Sequence, residues 1–91
     1  MPKFLAVHSL PPTTIEDGTL MAKQVKAINT NINAYWVGSW LQLNAEGKIV
    51  KIFCEWNAVS AEAVRKEISK VPNLPVDGVY PMVKIDPEDY R

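Results

Sequence analysis

Two aromatic and β-branched runs in the middle of the chain do most to limit its fold. Ala34–Leu43 reads AYWVGSWLQL, and residues 48–56 read KIVKIFCEW. Neither has helical periodicity, and both are rich in the residues that strands favour. Asn44-Ala45-Glu46-Gly47 between them is a turn, with Asn opening it and Gly supplying the position that often needs a positive φ. Residues 34–56 therefore read as a β-hairpin, β2 over 34–43 and β3 over 48–56.

Helical patterns flank the hairpin on both sides. Thr13-Thr14-Ile15-Glu16 fits the capping box Thr-x-x-Glu. Met21, Val25, Ile28 and Ile32 follow at helical spacing, which predicts α1 over 15–30. Gly18 weakens its first turn by up to ~1 kcal/mol relative to Ala. Downstream, Ser60 is the expected N-cap of α2, with Val59 and Val64 as a hydrophobic staple. Ala61, Val64, Ile68 and Val71 form its apolar face, and Pro72 stops it, giving α2 over 61–70.

The ends of the chain are short strands. KFLAVHS at 3–9 predicts β1, closed by Leu10-Pro11-Pro12. VYPMVKI at 79–85 predicts β4. Pro81 cannot donate to a ladder, so β4 is expected at a sheet edge, or Pro81 at a bulge. Residues 86–91 form a polar tail. The order β-α-β-β-α-β is the ferredoxin-like α+β arrangement: a four-stranded antiparallel sheet with both helices on one face. At 91 residues the chain is a single domain, 1–91.

That fold leaves the other sheet face open, and a monomer rarely keeps such an apolar patch wet. Ten basic residues balance ten acidic ones, so net charge does little to hold copies apart. A homodimer or higher assembly is expected, as a dimeric α/β barrel with a cavity between facing sheets. The same balance argues against nucleic acid and a polybasic membrane anchor as partners. No apolar run approaches the length of a membrane helix. One cysteine excludes an internal disulfide and suits a reducing compartment, so a cytoplasmic location is expected.

The hairpin admits two registers, and a one-residue slip exchanges its faces. With Leu43 opposite Lys48, Trp36, Gly38, Trp40 and Gln42 share the open face with Ile49, Lys51, Phe53 and Glu55. Val37, Leu41, Val50, Ile52 and Cys54 then lie under the helices. With a bulge at Gly47, the tryptophans instead join Ile52, Cys54 and Trp56. The first register segregates polar atoms better and is the expectation. In β1, Phe4, Ala6 and His8 share one side and Leu5 and Val7 the other, with neither side assigned to the helices.

The whole chain resembles a family of small ferredoxin-like proteins of largely unknown function that includes nickel-binding members. The resemblance rests on Met1 to His8, on Tyr35-Trp36-Val37, on Gly47-Lys48 followed by Phe53-Cys54, on Cys54 to Glu67 and on Asp86-Pro87. The chain carries Asn57 where the family often has Glu, and Glu67 where many members have His. The resemblance implies nickel or another transition metal as a possible cofactor.

His8, the single histidine, is a candidate metal ligand or proton shuttle; its bland role is a strand-end His bonded to backbone. Cys54 is a candidate second metal ligand, and the ordinary role for a lone Cys in an apolar strand is packing. Trp36, Trp40 and Trp56 are candidates to line a flat ligand pocket, with burial in a dimer interface ranked ahead of that role, and the two can coexist in a barrel. Lys51 and Glu55 either pair at that interface or line a polar cavity, since burial without partners is costly. Lys23, Lys26, Arg65, Lys66, Glu67 and Lys70 read as a solvated helix face. No phosphate loop, paired-Cys spacing or nucleophile elbow is present. Three readings follow. The first is a small-ligand or metal-binding module on the open face of a homodimer. The second is a cofactor-free oxygenase- or isomerase-like enzyme in the barrel cavity, and the third is a structural or interaction domain.

Overall fold

The computed structural model describes residues 1–90. Its elements run β1 (Lys3–Thr13), α1 (Ile15–Ile28), β2 (Ala34–Leu43), β3 (Ile49–Ala58), α2 (Ala61–Ile68) and β4 (Gly78–Met82), followed by a 3₁₀ turn at Pro87–Tyr90. The sheet order is β2-β3-β1-β4, with every neighbouring pair antiparallel. This is the expected ferredoxin-like arrangement, with both helices on one face.

The two prolines do not end β1. Ser9 pairs with Lys51 and Thr13 with Ile49, so Leu10-Pro11-Pro12 bulge out opposite Val50. Residues in a bulge make no ladder bond, which is where a strand tolerates proline. In β4, Pro81 lies opposite Phe4 on the sheet edge, as its missing N–H requires. That strand ends at Met82, three residues earlier than the sequence suggests.

The hairpin turn is closed by Asn44. Its Oδ1 accepts from the backbone N–H of Glu46 and Lys48 at 2.9 and 3.0 Å. Gly47 takes φ 77°, the left-handed conformation that glycine adopts without a Cβ penalty. Neither simple register then holds. Trp36 faces Trp56 but Gly38 faces Glu55, so Val37 is an extra residue in β2. Gln42 faces Lys51 but Leu43 faces Ile49, so Val50 is an extra residue in β3. Between these two bulges Trp40 pairs with Phe53, on the open side with Lys51 and Glu55. Trp36 instead turns under the helices with Cys54 and Trp56.

The core lies between α2 and the sheet: Phe4, Ala6, Ala34, Trp56, Ala58, Val64, Ile68 and Val79. Full burial of a side chain such as Val64 or Ile68 stabilises the fold by about 1.5–3 kcal/mol. Ser60 caps α2, its Oγ accepting from Ala63 N–H at 3.1 Å. Glu67 departs from the expected solvated face. It points inward at 2% exposure, with Lys70 Nζ donating to its Oε1 at 2.8 Å.

α1 is held differently. Its cap is Thr14, accepting from Asp17 N–H at 3.1 Å, one residue later than the predicted box. It buries none of its residues, and Ile32, expected on its apolar face, lies beyond the helix at 88% exposure. Its first turn approaches the sheet closely at Gly18, where a Cβ would overlap the Ile49 side chain. Farther along, Met21 and Val25 are only half-buried. No helix among the described residues is long and apolar enough to cross a membrane.

Candidate functional site

The sheet face beneath the helices is built in rows across β1, β3 and β2. Phe4, Trp56 and Trp36 form one row. Ala6, Cys54 and Ser39 form the next, and His8, Ile52 and Leu41 the third. The middle row is small and its neighbours are large, so the sheet carries a trough. α1 spans this trough without filling it. The result is a cavity of about 280 Å³, lined among others by His8, Met21, Val25, Trp36, Cys54 and Trp56. Among the described residues, none with a formal charge lines it when His8 is neutral.

His8 is 1% exposed. Its Nδ1 lies 2.7 Å from the Pro75 carbonyl oxygen. A carbonyl can only accept, so Nδ1 carries the proton and donates. The loop that supplies Pro75 is tied to β1 twice more: Asp77 N–H donates to Val7 O at 2.8 Å, and Ser9 Oγ donates to Asp77 Oδ2. Burial lowers the His8 pKa; the Pro75 bond and the Asp77 charge pull it the other way without cancelling that effect. At neutral pH the ring is therefore neutral, and Nε2 holds a lone pair.

On the β2 side, Trp36 Nε1 donates to Ser39 Oγ at 2.9 Å, and Ser39 Oγ donates to Cys54 Sγ at 3.0 Å. Burial raises the Cys54 pKa, and the Ser39 bond lowers it by less. The thiol therefore stays protonated at neutral pH and is a poor nucleophile. Trp56 is 1% exposed, and its indole N–H has no acceptor among the described residues.

The structure thus divides the residues singled out by sequence. His8, Trp36 and Cys54 meet in the cavity under α1, inside one chain rather than on the open face. Trp40, Lys51 and Glu55 stay on the open face, with Trp40 79% exposed. Glu55 pairs there with Lys3 rather than with Lys51. Ser39 was not legible as a site residue, because only the Val37 bulge turns it toward Trp36.

As a metal site the cavity is sparse. Among the described residues, no three or more His, Cys, Asp or Glu side chains converge to hold an ion. His8 and Cys54 are diagonal neighbours on β1 and β3, and one of the two is a protonated thiol. Metal ligation needs the thiolate. The donors of a single chain therefore do not make up a nickel site.

A family model described as "Nickel responsive protein SCO4226-like" matches residues 4–82. No curated protein matches the chain. In fold, the chain is similar to the crystal structure of SCO4226 from Streptomyces coelicolor A3(2), with a TM-score of 0.75 and 18% identity over 92% of this chain and 99% of that one. With its model matched from Phe4 to Met82, nearly end to end, the chain belongs to the SCO4226-like family of nickel responsive proteins.

Proposed function

We propose that the chain is a binding module for a small, mostly apolar molecule, held in the cavity between α1 and the sheet. The observation that carries this reading is the trough over Cys54 and Ser39. It is walled by indole and aliphatic side chains and offers few polar atoms, the usual make-up of a small-molecule site. α1 is the natural gate, because it has little of its own surface buried to lose on moving. Titrating the protein with naphthalene while following tryptophan emission tests the reading. Trp36 and Trp56 line the cavity, so saturable quenching or enhancement is expected. A flat titration, with the same result for probes of other shapes, would remove it.

A second reading, nickel binding, is favoured by the family to which the chain belongs. His8 is its required ligand, as the sole imidazole. The remaining donors would come from water, because His8 lies under the helices on the side of the sheet away from the open face. Pairing of two copies through that open face is proposed independently of nickel. That face presents Trp40, Tyr80 and Met82 at 79%, 49% and 43% exposure, beside the half-buried Phe53.

A further inference from the structure

We propose that the molecule held in this cavity presents a neutral hydroxyl donor, phenolic or enolic, to His8 Nε2. The inference rests on the small-molecule reading above and names the ligand's chemistry.

Two polar groups of the cavity lining have no partner among the described residues: the Trp56 indole N–H, a donor, and His8 Nε2, an acceptor. A hydroxyl, which both donates and accepts, suits such a pair. Trp36 N–H is used by Ser39, and the Ser39 hydroxyl by Cys54. His8 Nδ1–H is used by Pro75. What remains on His8 is the Nε2 lone pair, an acceptor on a ring that is 1% exposed and lines the cavity. An acceptor of this kind selects a ligand that donates. The loop from Pro75 to Asp77, tied to both sides of His8, fixes the tautomer. The unprotonated nitrogen is therefore a property of the fold and needs no ligand to create it.

The walls exclude the charged alternatives. Among the described residues no Lys, Arg, Asp or Glu lines the cavity, so a carboxylate, phosphate or ammonium group would enter without a counter-charge. A ligand with no donor would leave Nε2 unpaired, and leaving a buried acceptor unpaired weakens binding. A flat hydroxylated ring satisfies both conditions. Its faces meet Trp36 and Trp56, which favour offset or edge-on contact with another aromatic system.

The test uses the native protein and four probes sharing one ring system: 2-naphthol, 2-methoxynaphthalene, naphthalene and 2-naphthoate. Tryptophan emission reports binding. The expected result is that 2-naphthol binds about tenfold tighter than 2-methoxynaphthalene, the scale for one buried acceptor left unpaired, and that 2-naphthoate binds weakest. In His8→Phe the naphthol preference should vanish while naphthalene still binds. The probe comparison on native protein stands even if that variant folds poorly. Equal affinities for naphthol and the methyl ether overturn the hydroxyl proposal and leave the small-molecule reading standing. Tightest binding of naphthoate also overturns it. Failure of all four probes to bind overturns both.

Discussion

Trp36 donates its indole N–H to Ser39 Oγ at 2.9 Å, although the two residues stand three apart on one strand. In a regular strand residues at odd separation point to opposite faces. The extra residue at Val37 puts Trp36 and Ser39 on the same side. That bulge also separates Trp36 from Trp40, placing one over the trough and the other on the open face. The cavity wall and the open-face apolar patch thus share one local cause.

Ser39→Ala should lower stability by about 1 kcal/mol, since it leaves a half-buried indole N–H without its acceptor. Trp36→Phe combined with Ser39→Ala should cost less than the sum of the single changes, with a coupling of roughly 0.5–1.5 kcal/mol. Urea melts of the four proteins measure this cycle. Strict additivity would show that the bond contributes nothing and that the bulge is held by other contacts.

Much of the fold was legible because local chemistry and fold agree there. Pro81 announced an edge strand, Ser60 capped α2, and Asn44 with Gly47 closed the hairpin. The site was less legible. The trough takes Ala6, Cys54 and Ser39 from three strands, and their alignment depends on bulges at Val37 and Val50 that alternation of side chains does not encode. The stripe Met21, Val25, Ile28 identified a helix but not how far it stands from the sheet. That distance is set by Gly18 against Ile49 and by the small residues beneath. Glu67 read as solvated from its charge, and α2 nevertheless turns it inward.

Acidification should weaken the fold through His8. Its folded pKa lies below the ordinary value near 6.5. Between the two values the unfolded chain binds more protons than the native one. The contribution is therefore fully present above about pH 6.5 and is lost as the pH falls through the depressed folded value. Urea stability should drop between pH 7 and pH 5 by more in the native protein than in His8→Phe. The difference between them isolates His8 from the carboxylates, which titrate in both. Parallel pH profiles would show that the ring is not desolvated in solution.

Cys54 should react slowly with a small thiol reagent at neutral pH in the native state, and fast in denaturant. Burial holds the thiol protonated, and the thiolate is the reactive form. Because Cys54 lines the cavity, 2-naphthol should slow labelling further. Cys54→Ser keeps the Ser39 hydroxyl beside it as a hydrogen-bond partner, so it should cost about 1 kcal/mol, the low end for burying a hydroxyl. Rapid native labelling that no cavity probe alters would place the thiol outside the trough.

Nickel makes its own demand on His8. Titration of native protein and of His8→Ala should differ at least ~10-fold in affinity, the scale reached even when a residue behind a ligand is lost. Equal affinities would take His8 out of any nickel site, and no saturable binding to native protein would remove the nickel reading.

The open face should bring two copies together. Trp40 stands 79% exposed opposite half-buried Phe53, with Tyr80 and Met82 on the strand beyond β1. A zero net charge opposes their approach weakly. Light scattering at micromolar concentration should give about twice the 10.2 kDa chain mass. Trp40→Lys places a charge on the patch in each copy, and burying two unpaired ammonium groups is costly. That variant should scatter as a monomer while keeping its urea midpoint at low concentration and its cavity binding, because Trp40 contributes to neither the α2 core nor the trough. A native protein that stays monomeric would sink the pairing. A monomeric variant that also loses naphthalene binding would show that the cavity under α1 needs the second copy to hold its shape.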